Sequence, residues 1–337
     1  LQKRVSLKDI ANKVGVSIAL VSYVMNGQEK EKRVSAEVVK KIREAAEELN
    51  YQPNQIARSL RMKSTKTIGL LVADIANPFF SHLARIIENE ASKNGYTVIF
   101  GSSDEDPFKL ESLINTLLSR QVDGFIIVPT EGAMGQIREL TKMKIPFVLV
   151  DRYFPEINAN HVVLDNHRAT YDAVADMIRE GYRNISLFAY KLSLIHMKER
   201  IRGYREAMED NQLGENVHVV EVRPEYYRED IGKAFDEIIA SGKKNKALIF
   251  ATNALSVCGL YCIQKKALKI PEDISFFGFD GGESFDLYDP PLSFVQQPLE
   301  EMGKESFNVL LGIIKGSGKV TQVMLSPSLV IRDSSKS

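Results

Sequence analysis

The residues of this chain best placed to do chemistry are polar and aromatic side chains that directly follow apolar runs. Asp74 follows IGLLVA, with Asn77, Phe79 and Phe80 close behind it. Asp151 and Arg152 follow PFVLV, Asp165 and Asn166 follow HVVL, Asn253 follows KALIFAT, Asp280 follows ISFFGF, and Gln297 closes LSFVQQ. Carboxylates accept hydrogen bonds from diols, a guanidinium fork donates to ring or hydroxyl oxygens, and an aromatic face stacks on a sugar or a base. That set points to recognition of a small hydroxyl-rich molecule. Asp280, after a fully apolar run, is the leading acid, and one of the adjacent Phe79 and Phe80 is expected to pack inward.

Acids converging on a cleft are also the raw material of acid–base catalysis or a metal site. The motifs those chemistries need are missing. None of the five histidines sits in an H-E-x-x-H pattern, and no G-x-S-x-G occurs. KGSGKV at 315–320 has Ile313 and Val320 where a phosphate-binding loop needs Gly and Ser or Thr. Cys258 and Cys262 lie one helical turn apart with no further ligand at a useful spacing, so core packing is expected. The expectation is no enzyme, no metal and no cofactor. No stretch reaches the roughly 18 apolar residues of a membrane span, and LQKRVSLKDI lacks the apolar region of a signal peptide. A cytoplasmic protein without a membrane partner is expected.

These residues must be positioned by elements, and the pattern changes along the chain. From Thr67 onward, strand-length apolar runs alternate with amphipathic helical stretches over about 270 residues, which implies an α/β fold of parallel sheets covered on both faces. That is too much chain for one small sheet. Two doubly wound lobes are expected, with the ligand in the cleft at their facing strand ends.

Before Thr67 the chain is all helical and differently charged. Residues 1–66 hold fourteen Lys and Arg against seven Asp and Glu, although the whole chain is balanced at 44 and 44. A basic head on an acidic body is expected when one part meets phosphates. Ser6 precedes LKDIANKV with Asp9 three residues on, Gly15 breaks that helix, and Ser17 caps IALVSYVM. The spacing Ile10-Ala11, Gly15-Val16-Ser17, Val21-Ser22, Val24 is a helix-turn-helix arrangement. Its second helix is expected in the major groove of double-stranded DNA. Ile18 and Ala19 would read shape and thymine methyls, with Tyr23 one turn on and Ser17 and Ser22 suited to phosphates. Ser6 and Asn26 complete this set of expected DNA contacts. A third helix follows from Ser35.

The segment YQPNQIARSLRMKST has almost no core of its own, and an isolated helix this short does not hold in water. Asn54 can cap it, Ala57 and Leu60 share a face, and Arg58 and Arg61 supply charge. It reads as a segment that folds on DNA, with Leu60 as an apolar wedge in the minor groove.

SLKDIANKVGVSIALVSYVMNG, the segment NYQPNQIARSLRMKSTKTIGLLVADIANPFF, and ISFFGFD with PPLSFVQQPLEEMGKES together resemble the lactose-repressor/galactose-repressor family of bacterial regulators along essentially the whole chain. The resemblance implies a helix-turn-helix headpiece at 1–52, a hinge at 53–66 and a two-lobed core at 67–333. That core is like the periplasmic sugar-binding proteins. The N-terminal lobe would take 67–165 and 298–321 and the C-terminal lobe 166–297 and 322–333, with crossovers near Asp165, Gln296 and Gln322. It implies a homodimer on operator DNA, controlled by a sugar-like effector, with repression as the expected sense. Other ligands known in the family are purine-like compounds and partner proteins. The apolar-run residues named above match the family's effector contacts. Arg200 in ERIRGY matches its ligand-binding arginine, and His196 and Tyr227 align more loosely. Two departures stand out. The strand before Arg200 usually ends in a glycine-containing turn but reads FAYKLSLIHMKER here, and the usual Asn-Asp after KALIFAT is Asn253-Ala254.

Overall fold

The computed structural model describes residues 5–51, 64–242 and 246–337. The chain divides into two compact units, Leu1–Thr65 and Lys66–Ser337. Asn54, Ala57, Arg58, Leu60 and Arg61 lie outside the described residues.

The first unit holds helices α1 (Leu7–Val14), α2 (Ile18–Met25) and α3 (Ala36–Glu48). Each start follows from a cap. The backbone N–H and hydroxyl of Ser6 donate to Asp9 at 2.8 and 2.7 Å, Ser17 Oγ accepts from Leu20 N at 3.2 Å, and Ser35 Oγ accepts from Val38 N. Gly15 ends α1 at φ +77°, where a Cβ would be strained, and this sets the turn between the first two helices. Ile10, Ala11, Val21, Val24 and Ile42 are buried together with Ala45 and Ala46. The small side chain of Ala11 is what lets α2 come close.

The second unit contains two six-stranded sheets. The first takes β1 (Thr67–Val72), β2 (Thr97–Ser102), β3 (Gly124–Ile127), β4 (Phe147–Val150), β5 (His161–Leu164) and β11 (Gln322–Leu325), ordered β11-β5-β4-β3-β1-β2 with every neighbour parallel. The second takes β6 (Asn184–Tyr190), β7 (His218–Val222), β8 (Lys246–Phe250), β9 (Ser275–Phe279), β10 (Ser293–Gln296) and β12 (Ser328–Val330), ordered β12-β10-β9-β8-β6-β7. Only the β10–β12 pair is antiparallel. Central strands such as β3, β4 and β9 are buried along their whole length, as their apolar sequences require, while the edge strands β2 and β7 are partly exposed.

Between strands run α4 (Pro78–Lys93), α5 (Pro107–Ser119), α6 (Met134–Lys142), α7 (Asn166–Arg179), α8 (Ile195–Asp210), α9 (Tyr227–Ala240), α10 (Asn253–Lys265), the short α11 (Glu283–Asp286) and α12 (Leu299–Ile314). Helix α12 brings the chain back to the first lobe, packing on α4 and against β3, β4 and β5. The chain therefore passes between lobes after β5, after β10 and after β11. The third passage corrects the expected one. Gln322 opens β11, which pairs with β5 in the first sheet, so the change of lobe falls at Ser326–Pro327. The C-terminal end departs as well: Ser334 and Ser335, beyond the expected limit at 333, are fully buried, with Ser334 Oγ donating to Phe276 O at 2.9 Å. Among the described residues no helix is long and apolar enough to cross a membrane.

Candidate functional site

Besides Asp104, whose carboxylate meets Ser102 and Lys109, three acids at strand ends adopt a backbone conformation that side chains seldom take. Glu105, Asp151 and Asp280 have φ of +58°, +67° and +55°. Asp tolerates the left-handed region better than most residues, and such strain is held where surrounding structure enforces it. All three carboxylates belong to one electrostatically coupled group: Glu105 and Asp151 pair with Arg152, and Asp151 and Asp280 both act on Arg200.

On the first lobe the network is built around Arg152, just beyond β4. Its fork meets Glu105 with Nη1–Oε2 at 2.7 Å and Nη2–Oε1 at 2.8 Å, and its Nε lies 3.5 Å from Asp151 Oδ2. Burial opposes the charge of Arg152, but the Glu105 carboxylate outweighs it and the pKa moves up. Burial also raises Asp151, against the pull of Arg152 and Arg200.

On the second lobe α8 delivers Arg200. It is 3% exposed, Nε donates to Asn166 Oδ1 at 2.8 Å, and Nη1 donates to the carbonyl of Ala251. Its guanidinium lies 3.7 Å from the ring centroid of Phe279, a close cation–π contact. Burial lowers its pKa, with Asp280 and Asp151 opposing. Asp280 follows β9. Gln297 Nε2 donates to both of its oxygens at 2.9 and 3.0 Å, and Asn253 Nδ2 donates to its backbone carbonyl at 2.7 Å. Part of the Asp280 surface is accessible, but its carboxyl lies deep, and burial lifts its pKa to about 7 against Arg200 and Gln297. His196, one turn before Arg200, is held well below the usual imidazole range by burial and by Arg152 and Arg200, so it is neutral.

Four buried side-chain atoms in this region have no hydrogen-bond partner: Thr130 Oγ1 and Arg152 Nε from the first lobe, His196 Nδ1 from the second, and Gln297 Oε1 at a crossover. Arg152 Nε keeps its ion pair with Asp151, and leaving the other three groups unpaired costs about 1–3 kcal/mol each. They comprise a fixed donor, a fixed acceptor and two groups that can do either.

The structure thus brings together Asp151, Arg152, His196, Arg200, Asn253, Asp280 and Gln297. Of the rest of the expected set it brings only Asn166 and Phe80 near them. Asp74 Oδ1 accepts from Ala76 N at 2.9 Å, Asn77 Oδ1 caps α4 through Phe79 N at 3.0 Å, and Asp165 Oδ1 caps α7 through Arg168 N at 3.0 Å. Their polar atoms serve local turns. Phe79 and Phe80 are both buried, edge to face at 5.0 Å, where the sequence suggests one inward ring. Only the Phe80 ring lies near Arg152, at 5.8 Å. Tyr227 opens α9 and meets Tyr190 edge-on at 6.0 Å. Glu105 and Thr130 are not apparent from sequence. The one signal for Glu105 is the acidic run Asp104-Glu105-Asp106 after β2, and Thr130 has none.

In the headpiece Ile18 is 48% exposed at the start of α2, with Ala19 exposed beside it. An exposed isoleucine on a helix with a buried opposite face is an apolar contact surface awaiting a partner. Ser17 and Ser22 are engaged locally: Ser17 as the cap, and Ser22 through Asn26 Nδ2, which donates to its carbonyl at 2.6 Å and its hydroxyl at 3.2 Å. Tyr23 is half-buried, with the Lys32 ammonium 5.7 Å from its ring.

Comparison with known proteins gives a consistent picture. The profile described as bacterial regulatory proteins, lacI family, matches residues 6–54, and that described as periplasmic binding proteins and sugar binding domain of LacI family matches residues 65–334. The ribose operon repressor of Haemophilus influenzae is 31% identical over 331 residues, covering 98% of each chain. The HTH-type transcriptional repressor PurR of Aliivibrio fischeri is 30% identical, again over 98% of each. Among solved structures, the lac repressor dimer bound to operator and the anti-inducer ONPF superposes with TM-score 0.86 at 25% identity, covering 99% of this chain and all of that one. A LacI family regulator from Enterococcus faecium with bound ribose gives TM-score 0.70 at 26% identity, over 80% and 98%.

Proposed function

The chain belongs to the LacI family of bacterial transcriptional regulators, and from that premise we propose that it is a cytoplasmic, homodimeric repressor whose grip on operator DNA answers to a neutral, polyhydroxylated effector held between the two lobes. The observation that carries the effector class is the set of unpartnered atoms on Thr130, Arg152, His196 and Gln297. A sugar hydroxyl donates and accepts at once and so matches a mixed set. A phosphate accepts only, and would have to enter beside Asp151 and Asp280 while both arginines are already engaged by Glu105, Asn166 and Ala251. Asp280, Arg200, Asp151 and Arg152 are the assigned effector contacts, with His196, Asn253 and Gln297 shaping the same wall.

In this reading Ile18 and Ala19 face base edges, and Asn54, Ala57, Arg58, Leu60 and Arg61 carry their sequence-based role as a hinge that grips the minor groove. Effector binding favours one arrangement of the lobes, and DNA another. The coupling is a difference in affinity between two states, and it is reciprocal.

A thermal-shift screen tests the effector class. Neutral pentoses and hexoses, including ribose, should be compared with their phosphates and with nucleosides. A ligand at 100 times its Kd stabilises by about 2.7 kcal/mol. Stabilisation by a neutral sugar is the expected result. Stabilisation by phosphorylated compounds alone would sink the assignment.

A further inference from the structure

The turn between β6 and α8, Lys191–Leu194, lies in the segment where the chain departs from the family's glycine-containing turn, and it reaches across to the first lobe. Leu194 is 3% exposed and belongs to an apolar cluster with Ala133, Ile137, Phe154 and Ile157. Among the described residues every other buried member of that cluster comes from the first lobe. Next to it, Ser193 N donates to Glu131 Oε1 at 2.7 Å. Glu131 stands in the loop between β3 and α6, beside the buried Thr130.

Helix α8 has a reason to need this contact. Its N-cap residue is Leu194, whose side chain offers no acceptor, so the first turn has no cap of its own. A carboxylate beside a helix N-terminus meets the positive end of the helix dipole. Here a carboxylate of the opposite lobe accepts from Ser193 N, one residue before the N-cap, and so anchors the turn that leads into α8 instead of bonding one of the helix's own N–H groups. The same first turns carry His196 and Arg200.

We propose that Glu131 and Leu194 form a clasp in which the first lobe anchors the turn leading into the helix that bears Arg200, so that closing the lobes and ordering the effector-binding arginine are one event. Glu131 is a positioning residue in this scheme. Both contacts are made by protein atoms alone, so the clasp favours lobe closure independently of the occupant of the cleft. A bias of that kind raises apparent effector affinity by raising the binding-competent fraction. The inference rests on the effector reading only for this last consequence.

Hydrogen exchange measured by mass spectrometry on the full-length protein, with no compound added, tests it directly. In Glu131→Ala the peptide spanning 191–198 should exchange about ten- to a hundredfold faster, the range expected for a lost charge-assisted hydrogen bond. Glu131→Gln keeps an acceptor but loses the charge, and should fall between wild type and Glu131→Ala. Leu194→Ala removes the apolar half and should show the same acceleration. Unchanged exchange in both Glu131→Ala and Leu194→Ala overturns the clasp, as does equal acceleration in Glu131→Gln and Glu131→Ala. Ribose serves as the probe in a second arm, where Glu131→Ala should weaken its binding. Failure of ribose to bind wild type counts against the sugar reading, and the exchange measurement then decides the clasp by itself.

Discussion

Asp280 shows how one side chain can be costly to the fold and useful to the site. Its pKa of about 7 lies above the ordinary 3.8, because burial penalises the carboxylate more than Arg200 and Gln297 favour it. An acid whose folded pKa is raised holds a proton that unfolding releases, so its contribution to stability falls as pH rises from about 4 to about 7 and is level above. Asp280→Asn removes this penalty, and the Gln297 amide can turn its unpartnered oxygen toward the new side chain. The variant is expected to melt higher than wild type at pH 8, by a few degrees (~3 °C), with the difference shrinking toward pH 5. It should also lose stabilisation by the effector. A constant offset across pH would mean that Asp280 is ionised throughout.

At the scale of elements, the site depends on how closely α7 and α8 approach. A Cβ on Gly203 would sit 2.1 Å from the backbone carbonyl oxygen of His167, an atom that cannot turn aside. Gly203→Ala must push α8 outward, and Arg200 lies one turn away on the same helix, held by Asn166 at the start of α7. The expected cost is about 1–3 kcal/mol, read as a lower urea midpoint, together with a weaker effector response and unchanged weak DNA binding. An unaltered midpoint would show that the helices have slack. The same close approach explains why ERIRGY is legible as a motif. The arginine and the glycine are one device, with the glycine seating the helix and the arginine using the position.

At the scale of the molecule, regulation needs the headpiece to sense the state of the core. The hinge role proposed for residues 53–66 rests on their sequence alone, which is short and offers few apolar positions. Leu60→Ala is accordingly expected to weaken operator binding by more than tenfold, about 1.4 kcal/mol or more in free energy, while binding to unrelated DNA changes little. Gel-shift titrations on operator and scrambled duplexes make that comparison, and equal losses on both would remove the wedge role. Salt should weaken binding to both duplexes, since phosphate contacts dominate non-specific affinity.

Much of this architecture is legible in the chain read residue by residue: the alternation of apolar strands and amphipathic helices, the helix caps at Ser6, Ser17 and Ser35, and the strand-end positions of Asp151, Asp280 and Asn253. These are local or periodic properties, written in neighbouring residues. Asp74, Asn77 and Asp165 also follow apolar runs, and sequence alone does not separate polar groups that serve their own turn or helix cap from those that face the cleft. Tertiary contacts make that choice, because it depends on which hydrogen-bond donors arrive from distant segments. Arg152 finds Glu105, and Gln297 finds Asp280, across 47 and 17 residues. The third crossover falls elsewhere than the sequence suggests for the same reason: β11 is identified by its pairing with β5, not by its own exposed sequence. The clasp is the furthest case. Nothing in KLSL or TEG announces a partner, and the contact exists only because two lobes built from separate stretches of chain face each other.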